Sequence, residues 1–156
     1  MLKSILFFSF LLFSIQSYAF HGKVISVSDG DTITVITNDK KQYKIRLLHI
    51  DAPESKQAFG NQAKKALSNL IYSKQVYIQR SGVDQYNRIL GTVYLGQNNI
   101  NKHMVHSGYA WAYRNRSTDP SYIQLERSAK ANQRGLWQDK NPIEPKQWRK
   151  LQNSQR

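Results

Sequence analysis

The chain has 156 residues, a length that favours one domain, and its 40% hydrophobic content is enough for one core. Its 23 Lys and Arg against 10 Asp and Glu leave a net charge of +13, which points to a polyanionic partner, nucleic acid before anionic membrane. The absence of cysteine excludes disulfides, thiol nucleophiles, zinc–thiolate sites and iron–sulfur clusters.

The N-terminus reads as a secretory signal, residues 1–19. Lys3 supplies a short positive region, Ile5 to Ile15 an apolar run, and Ser17-Tyr18-Ala19 a small-residue cleavage site after Ala19. The apolar run is shorter than the roughly 20 residues of a spanning helix, so stable membrane insertion after cleavage is not expected. Cleavage removes one basic residue and no acidic ones, leaving a mature charge of +12. The destination is export, to a periplasm or the medium.

Residues 20–28 and 31–37 roughly alternate apolar and polar, and Asp29-Gly30 between them signals a turn or bulge. Asn38-Asp39-Lys40 marks a second turn, and Tyr43 to Ile50 reads as a third strand. Ala52-Pro53 ends that strand, because proline has no N–H to donate. A polar loop runs to Gly60. From Asn61 the apolar residues Ala63, Ala66, Leu67, Leu70 and Ile71 recur at helical spacing. Gln75 to Arg80 and Ile89 to Leu95 return to strand character around a turn-rich stretch, 81–87. Ile100 to His106 is a short helix closed by Gly108. Asp119-Pro120 is an N-cap with proline at the first helical position, and Gly135 is expected to end that helix. From Leu136 the chain reads as irregular, with a basic C-terminal tail at 139–156. Five strands with a helix after the third, about three helices in all, describe a mainly β with α (α+β) protein: a Greek-key barrel of the OB-fold kind, over residues 20–138.

Three short stretches can carry chemistry. Asp31 and Asp51 sit at a turn and a strand end and are candidate ligands for a hard cation, which prefers carboxylate and carbonyl oxygen. Asp29-Gly30-Asp31 has a plainer explanation as a hairpin turn with surface carboxylates. Glu54, close to Asp51, is placed to orient or deprotonate an attacking water, or it is an ordinary loop glutamate. Arg46 and Arg88 offer planar forks for phosphate oxygens. Arg46 lies inside an apolar strand, where a charge needs a partner unless the strand is an edge. Tyr86 and Tyr113 are candidates for stacking on bases, and core or rim packing explains them equally well. His49, His103 and His106 lack a catalytic context; His49 is expected to be a packed strand residue.

Together these stretches resemble the staphylococcal nuclease-like (thermonuclease) family. The resemblance rests on Val27-Ser28-Asp29-Gly30-Asp31-Thr32, on Ile45-Arg46-Leu47-Leu48-His49-Ile50-Asp51-Ala52-Pro53-Glu54 and on Asp84-Gln85-Tyr86-Asn87-Arg88-Ile89-Leu90-Gly91. It continues through Gly108–Tyr113 and Arg134–Trp137, covering about residues 22–138. The resemblance implies an OB-fold barrel and calcium-dependent hydrolysis of DNA and RNA, single strands preferred, with 3′-phosphate products, by a monomer. It implies Asp31, Asp51 and the backbone carbonyl of Ala52 as calcium ligands. Arg46 and Arg88 would then grip the phosphate, and Glu54 would act on the water. Asp29 is left a structural role or a place just outside the ligands of the ion. Three positions depart from the family: Ala52 stands for threonine, Gln85 for a phosphate-binding lysine, and Asn87 for a glycine whose left-handed conformation asparagine tolerates. The alternative is a non-catalytic OB-fold that binds nucleic acid.

Overall fold

A computed structural model describes residues 18–115 and 119–154, so all but the last two residues of the expected leader lie outside the described chain. The first alternating stretch forms β1 (Ala19–Asp29), which buries Val24 and Val27. Two register shifts, between Val24 and Ser26 and between Val27 and Asp29, bend it. The bend lets one strand pair with β2 (Thr32–Ile36) at one end and with a later strand at the other. Gly30 and Asp31 make the tight turn between β1 and β2, as Asp-Gly predicts. β3 (Gln42–Leu47) completes the meander.

The third strand stops three residues sooner than its apolar run suggests. His49 takes a left-handed backbone (φ 66°), which turns the chain out of the barrel. It is therefore a turn residue, with its ring against Tyr122 (centroids 5.3 Å apart). Ile50 and Asp51 form a separate short strand, β4, whose partner comes sixty residues later. The expected helix is α1 (Gly60–Ile71), with Ala63, Leu67 and Ile71 on its buried face. Burying a leucine or isoleucine contributes about 1.5–3 kcal/mol each, which holds α1 against β1.

β5 (Gln75–Val83) and β6 (Ile89–Leu95) pair antiparallel. β6 then meets β3 in parallel, Ile45 opposite Ile89 and Arg46 opposite Leu90. That pairing closes the strand order β3-β2-β1-β5-β6 into the five-stranded barrel expected of an OB-fold. Ile33, Val35, Ile45, Leu47, Ile78 and Val93 fill its interior. β7 (Asn98–Asn99) leads into α2 (Ile100–His106), and β8 (Trp111–Ala112) pairs with β4.

α3 (Pro120–Ala131) starts as predicted, with Asp119 accepting a hydrogen bond from the Ser121 N–H. It ends at Ala131, not at Gly135. Gly135 instead opens a 3-10 turn (Gly135–Gln138) packed against Gly108, whose carbonyl accepts from the Leu136 N–H at 2.8 Å. The expected irregular tail is wrong in one respect. Residues Pro145–Ser154 form a further helix, α4, and the four α-helices of the described chain are close to the about three expected. No helix among the described residues is long and apolar enough to cross a membrane.

Candidate active site

The three motif stretches converge at one end of the barrel, around a cleft of about 830 Å³. It is lined by Asp31, Arg46, Asp51, Ala52, Glu54 and Arg88, together with Tyr86, Tyr113 and Arg149. Every residue assigned a role from sequence is therefore in the same place.

Close packing of small residues puts the carboxylates there. A Cβ on Gly30 would lie 2.7 Å from the Cβ atoms of both Ala52 and Ala63, so the β1–β2 turn sits directly on α1 and on the segment after β4. Asp29 fixes the turn, its Oδ1 accepting from the Asp31 N–H at 3.0 Å, which is the structural role expected of it. Asp31 then reaches across to the second motif: its Oδ2 accepts from the Ala52 N–H at 2.7 Å, and its Oδ1 from the Thr32 hydroxyl at 3.1 Å.

Arg46 organises the centre. β3 is paired on both sides, to β2 and to β6, so the edge-strand explanation of this arginine does not hold. Its side chain is largely buried, and its Nη1 donates to the carbonyls of Leu47 (2.7 Å) and Ile50 (2.9 Å), which spans the His49 turn. Its Nη2 lies 3.1 Å from Asp31 Oδ2 and 3.2 Å from Asp51 Oδ1. Two buried carboxylates thus point at a single cationic atom. Burial pushes the Asp31 carboxyl well above the usual carboxylate range, against the opposing pull of Arg46.

Arg88 enters just before β6, the strand paired with that of Arg46. The turn before it is built by Asp84, whose Oδ1 accepts from the Tyr86 and Arg88 N–H groups at 2.9 Å each. Asn87 takes the left-handed conformation (φ 59°) that its position demands, so the departure from glycine is accommodated. Asp84 Oδ2 holds the Arg88 Nε at 2.7 Å, which orients the guanidinium at the cleft wall. The Tyr86 ring lies 5.4 Å from that guanidinium and is exposed on the rim; Tyr113 lines the cleft opposite.

Glu54 is half-exposed, and its place is set by a glycine. A Cβ on Gly60 would come within 2.8 Å of the Glu54 carbonyl carbon and closer still to its oxygen, so α1 begins in contact with the Glu54 backbone. Gln57 ties the same loop internally, its Oε1 accepting from the Glu54 N–H at 3.1 Å.

Two participants were missed from sequence. Asp84 belonged to a recognised stretch but had no role assigned. Arg149 fell in the part read as an irregular tail. α4 carries it into the cleft, where its Nη2 is 2.9 Å from Asp51 Oδ2 and its Nη1 is 2.7 Å from Glu54 Oε1. These carboxylates raise the Arg149 pKa, Asp51 foremost. The signal was present: Glu144-Pro145 repeats the acid–proline helix start of Asp119-Pro120, and Trp148 and Leu151 follow at helical spacing.

The donor set suits a hard cation. Asp31 and Asp51 converge on the point that an Arg46 nitrogen reaches, and carboxylate oxygen is the ligand such ions prefer. Among the described residues no group of three or more His, Cys, Asp and Glu side chains gathers as a metal cluster. A cation here would take two carboxylates, with its remaining ligands from backbone carbonyl and water. His49 forms part of the cleft wall beside Leu48, with its ring against Tyr122, while His103 and His106 do not line the cleft.

A barrel with acidic and arginine side chains converging at one end offers a site for a cation and a phosphate. Residues 44–139 match the staphylococcal nuclease homologue family. The chain is 52% identical over 128 residues to a Haemophilus influenzae protein named "Uncharacterized endonuclease", covering 82% of this chain and 72% of that one. It is 41% identical over 152 residues to the "Micrococcal nuclease" of Shigella flexneri, covering 90% and 87% of the two chains. An Escherichia coli "Uncharacterized endonuclease" is 42% identical over 130 residues, covering 83% and 84%. The chain belongs to the staphylococcal nuclease family. It is a nuclease, hydrolysing phosphodiester bonds of nucleic acid, and the family is metal-dependent.

Proposed function

We propose that the protein is an exported, calcium-dependent nuclease that cuts both DNA and RNA, prefers single strands, works as a monomer and leaves 3′-phosphate products. The observation that carries this reading is the convergence of Asp31 and Asp51 on one point beside Arg46, with Glu54 and Arg88 in the same cleft. Asp31, Asp51 and the Ala52 carbonyl would hold calcium. A bound calcium ion supplies positive charge at the phosphate, which favours attack by an anionic or polarised oxygen.

The chain's own groups do the rest. Arg46 and Arg88, both lining the cleft, take the oxygens of the phosphate to be cut and stabilise the charge that grows on them. Glu54 orients a water and takes its proton as the new P–O bond forms. The bond from phosphorus to the 5′ oxygen breaks on the opposite side, and the leaving oxygen is protonated from solvent. The phosphate stays on the 3′ oxygen. Tyr86 on the rim offers a ring to an unpaired base, which supports a preference for single strands. Export is supported by the leader-like sequence of residues 1–19, and cleavage after Ala19 would leave the β1 pairing from Phe20 onward in place.

The test is digestion of single-stranded DNA and of RNA by the exported protein, with calcium and with chelator. Cleavage with calcium that stops on chelation is expected. A folded protein that cuts equally well in chelator refutes the calcium assignment, and an N-terminus other than Phe20 refutes the cleavage site.

A further inference from the structure

Among the ten residues of α4, only Pro145 is buried, yet the helix reaches the most charged part of the molecule. Its Arg149 grips Asp51 with both nitrogens, Nη1 to Oδ1 at 3.2 Å and Nη2 to Oδ2 at 2.9 Å. The same Nη1 donates to Glu54 Oε1 at 2.7 Å. The chain leading into α4 is pinned to the Glu54 loop, because the Gln57 Nε2 donates to the Ile143 carbonyl at 2.6 Å. The guanidinium is thus delivered by a built connection, on a helix that is otherwise lightly held.

Its position has a chemical consequence. Both Asp51 oxygens face Arg149, and Oδ1 also faces Arg46. A divalent cation that uses Asp51 needs the same lone pairs and would meet a like charge at contact distance. Glu54 is similarly engaged, its Oε1 already accepting from Arg149 where a water would otherwise donate. One arginine therefore occupies both the acid proposed to bind metal and the acid proposed to act on water.

We propose that Arg149 is an internal competitor for the cation, making α4 a latch on the active site. When Arg149 is on Asp51 and Glu54, the site binds cation weakly and Glu54 is occupied. When it leaves, both carboxylates are freed in one event. Cation binding and release of α4 are then reciprocally linked. The inference rests on the reading of Asp51 as a metal ligand.

Calorimetric titration of calcium into the purified protein without nucleic acid measures the competition. Arg149→Gln, and Arg149→Met with a similar aliphatic stem, are expected to tighten calcium binding by about tenfold. Lys150→Gln removes a charge from the exposed neighbouring position and is expected to change it by less than about twofold. Unchanged or weaker binding in both Arg149 variants, or equal tightening in Lys150→Gln, overturns the latch. Asp51→Asn separates the two levels of the reading. If it binds calcium as the parent does, or if no form of the protein binds calcium, the assignment of Asp51 fails. If it abolishes binding while the Arg149 variants do not tighten it, the latch alone fails.

Discussion

Gly60→Ala puts a single methyl group where the Glu54 backbone already sits. The new Cβ would lie 2.8 Å from the Glu54 carbonyl carbon, where ordinary van der Waals contact is 3.4–4 Å. The atom on the other side is backbone, so no flexible side chain can absorb the clash. The Glu54 carbonyl oxygen lies closer still, so the loop must retreat by more than about 1 Å, and misplacement of even that size costs on the order of 100-fold in rate. Stability should suffer less. Overpacking costs about 1–3 kcal/mol, while alanine returns up to about 1 kcal/mol of helix propensity at the same position. Initial rates on single-stranded DNA and urea unfolding would be compared for Gly60→Ala, Glu54→Gln and the double variant. If Gly60 acts through Glu54, the double variant should be no slower than Glu54→Gln alone. Rate losses that multiply, or a Gly60→Ala enzyme within about threefold of the parent, would refute the reasoning.

Glu54→Gln and Arg88→Ala should each lower the rate by about 100-fold or more, with stability changed by about 1 kcal/mol or less, as read from rates and urea midpoints. Asp31→Asn should stabilise the fold at neutral pH when measured in chelator. Burial raises the Asp31 pKa on folding, so the native state holds its proton more tightly and ionisation weakens the fold as pH rises above the ordinary value of 3.8. The gap between variant and parent, read by thermal unfolding, should close in acid. Asp119 behaves in the opposite sense. Hydrogen bonds from Ser121 lower its pKa to about 2, so its contribution to α3 is present above 3.8 and lost as pH falls through about 2. Asp119→Ala should lower the Tm at pH 7 and leave it nearly unchanged in strong acid.

The barrel and most of the cleft could be read from sequence because their signals are local. Alternation marked the first two barrel strands and strand-like runs the other three, Asp29-Gly30 marked the turn, and the acidic and arginine residues lay within short motifs. Signals that depend on distant partners were harder to see. The apolar run through Leu48 concealed the left-handed turn at His49. The two-residue strands β4 and β8 are too short for any period, and they exist because Ile50 finds Ala112 across sixty residues of chain. Glu126 on α3 looks like a surface acid, yet it is buried and held by Arg114 at 2.7 Å and Lys130 at 2.8 Å. Arg149 was hidden most fully. One arginine among many in a basic tail gives no sign of the carboxylates it meets, and only the fold brings residues 51 and 149 together.

The parallel pairing of β3 with β6 bears on when the protein can act. Arg46 lies on one of these strands and Arg88 immediately precedes the other, and the two meet only when the ring of strands shuts. Such non-local pairing forms at high entropic cost during folding. A chain lacking it has its two phosphate grips far apart, whatever local structure it holds. Catalytic competence is therefore conferred at the moment of closure, and a chain whose barrel is still open holds no paired grip on a phosphate.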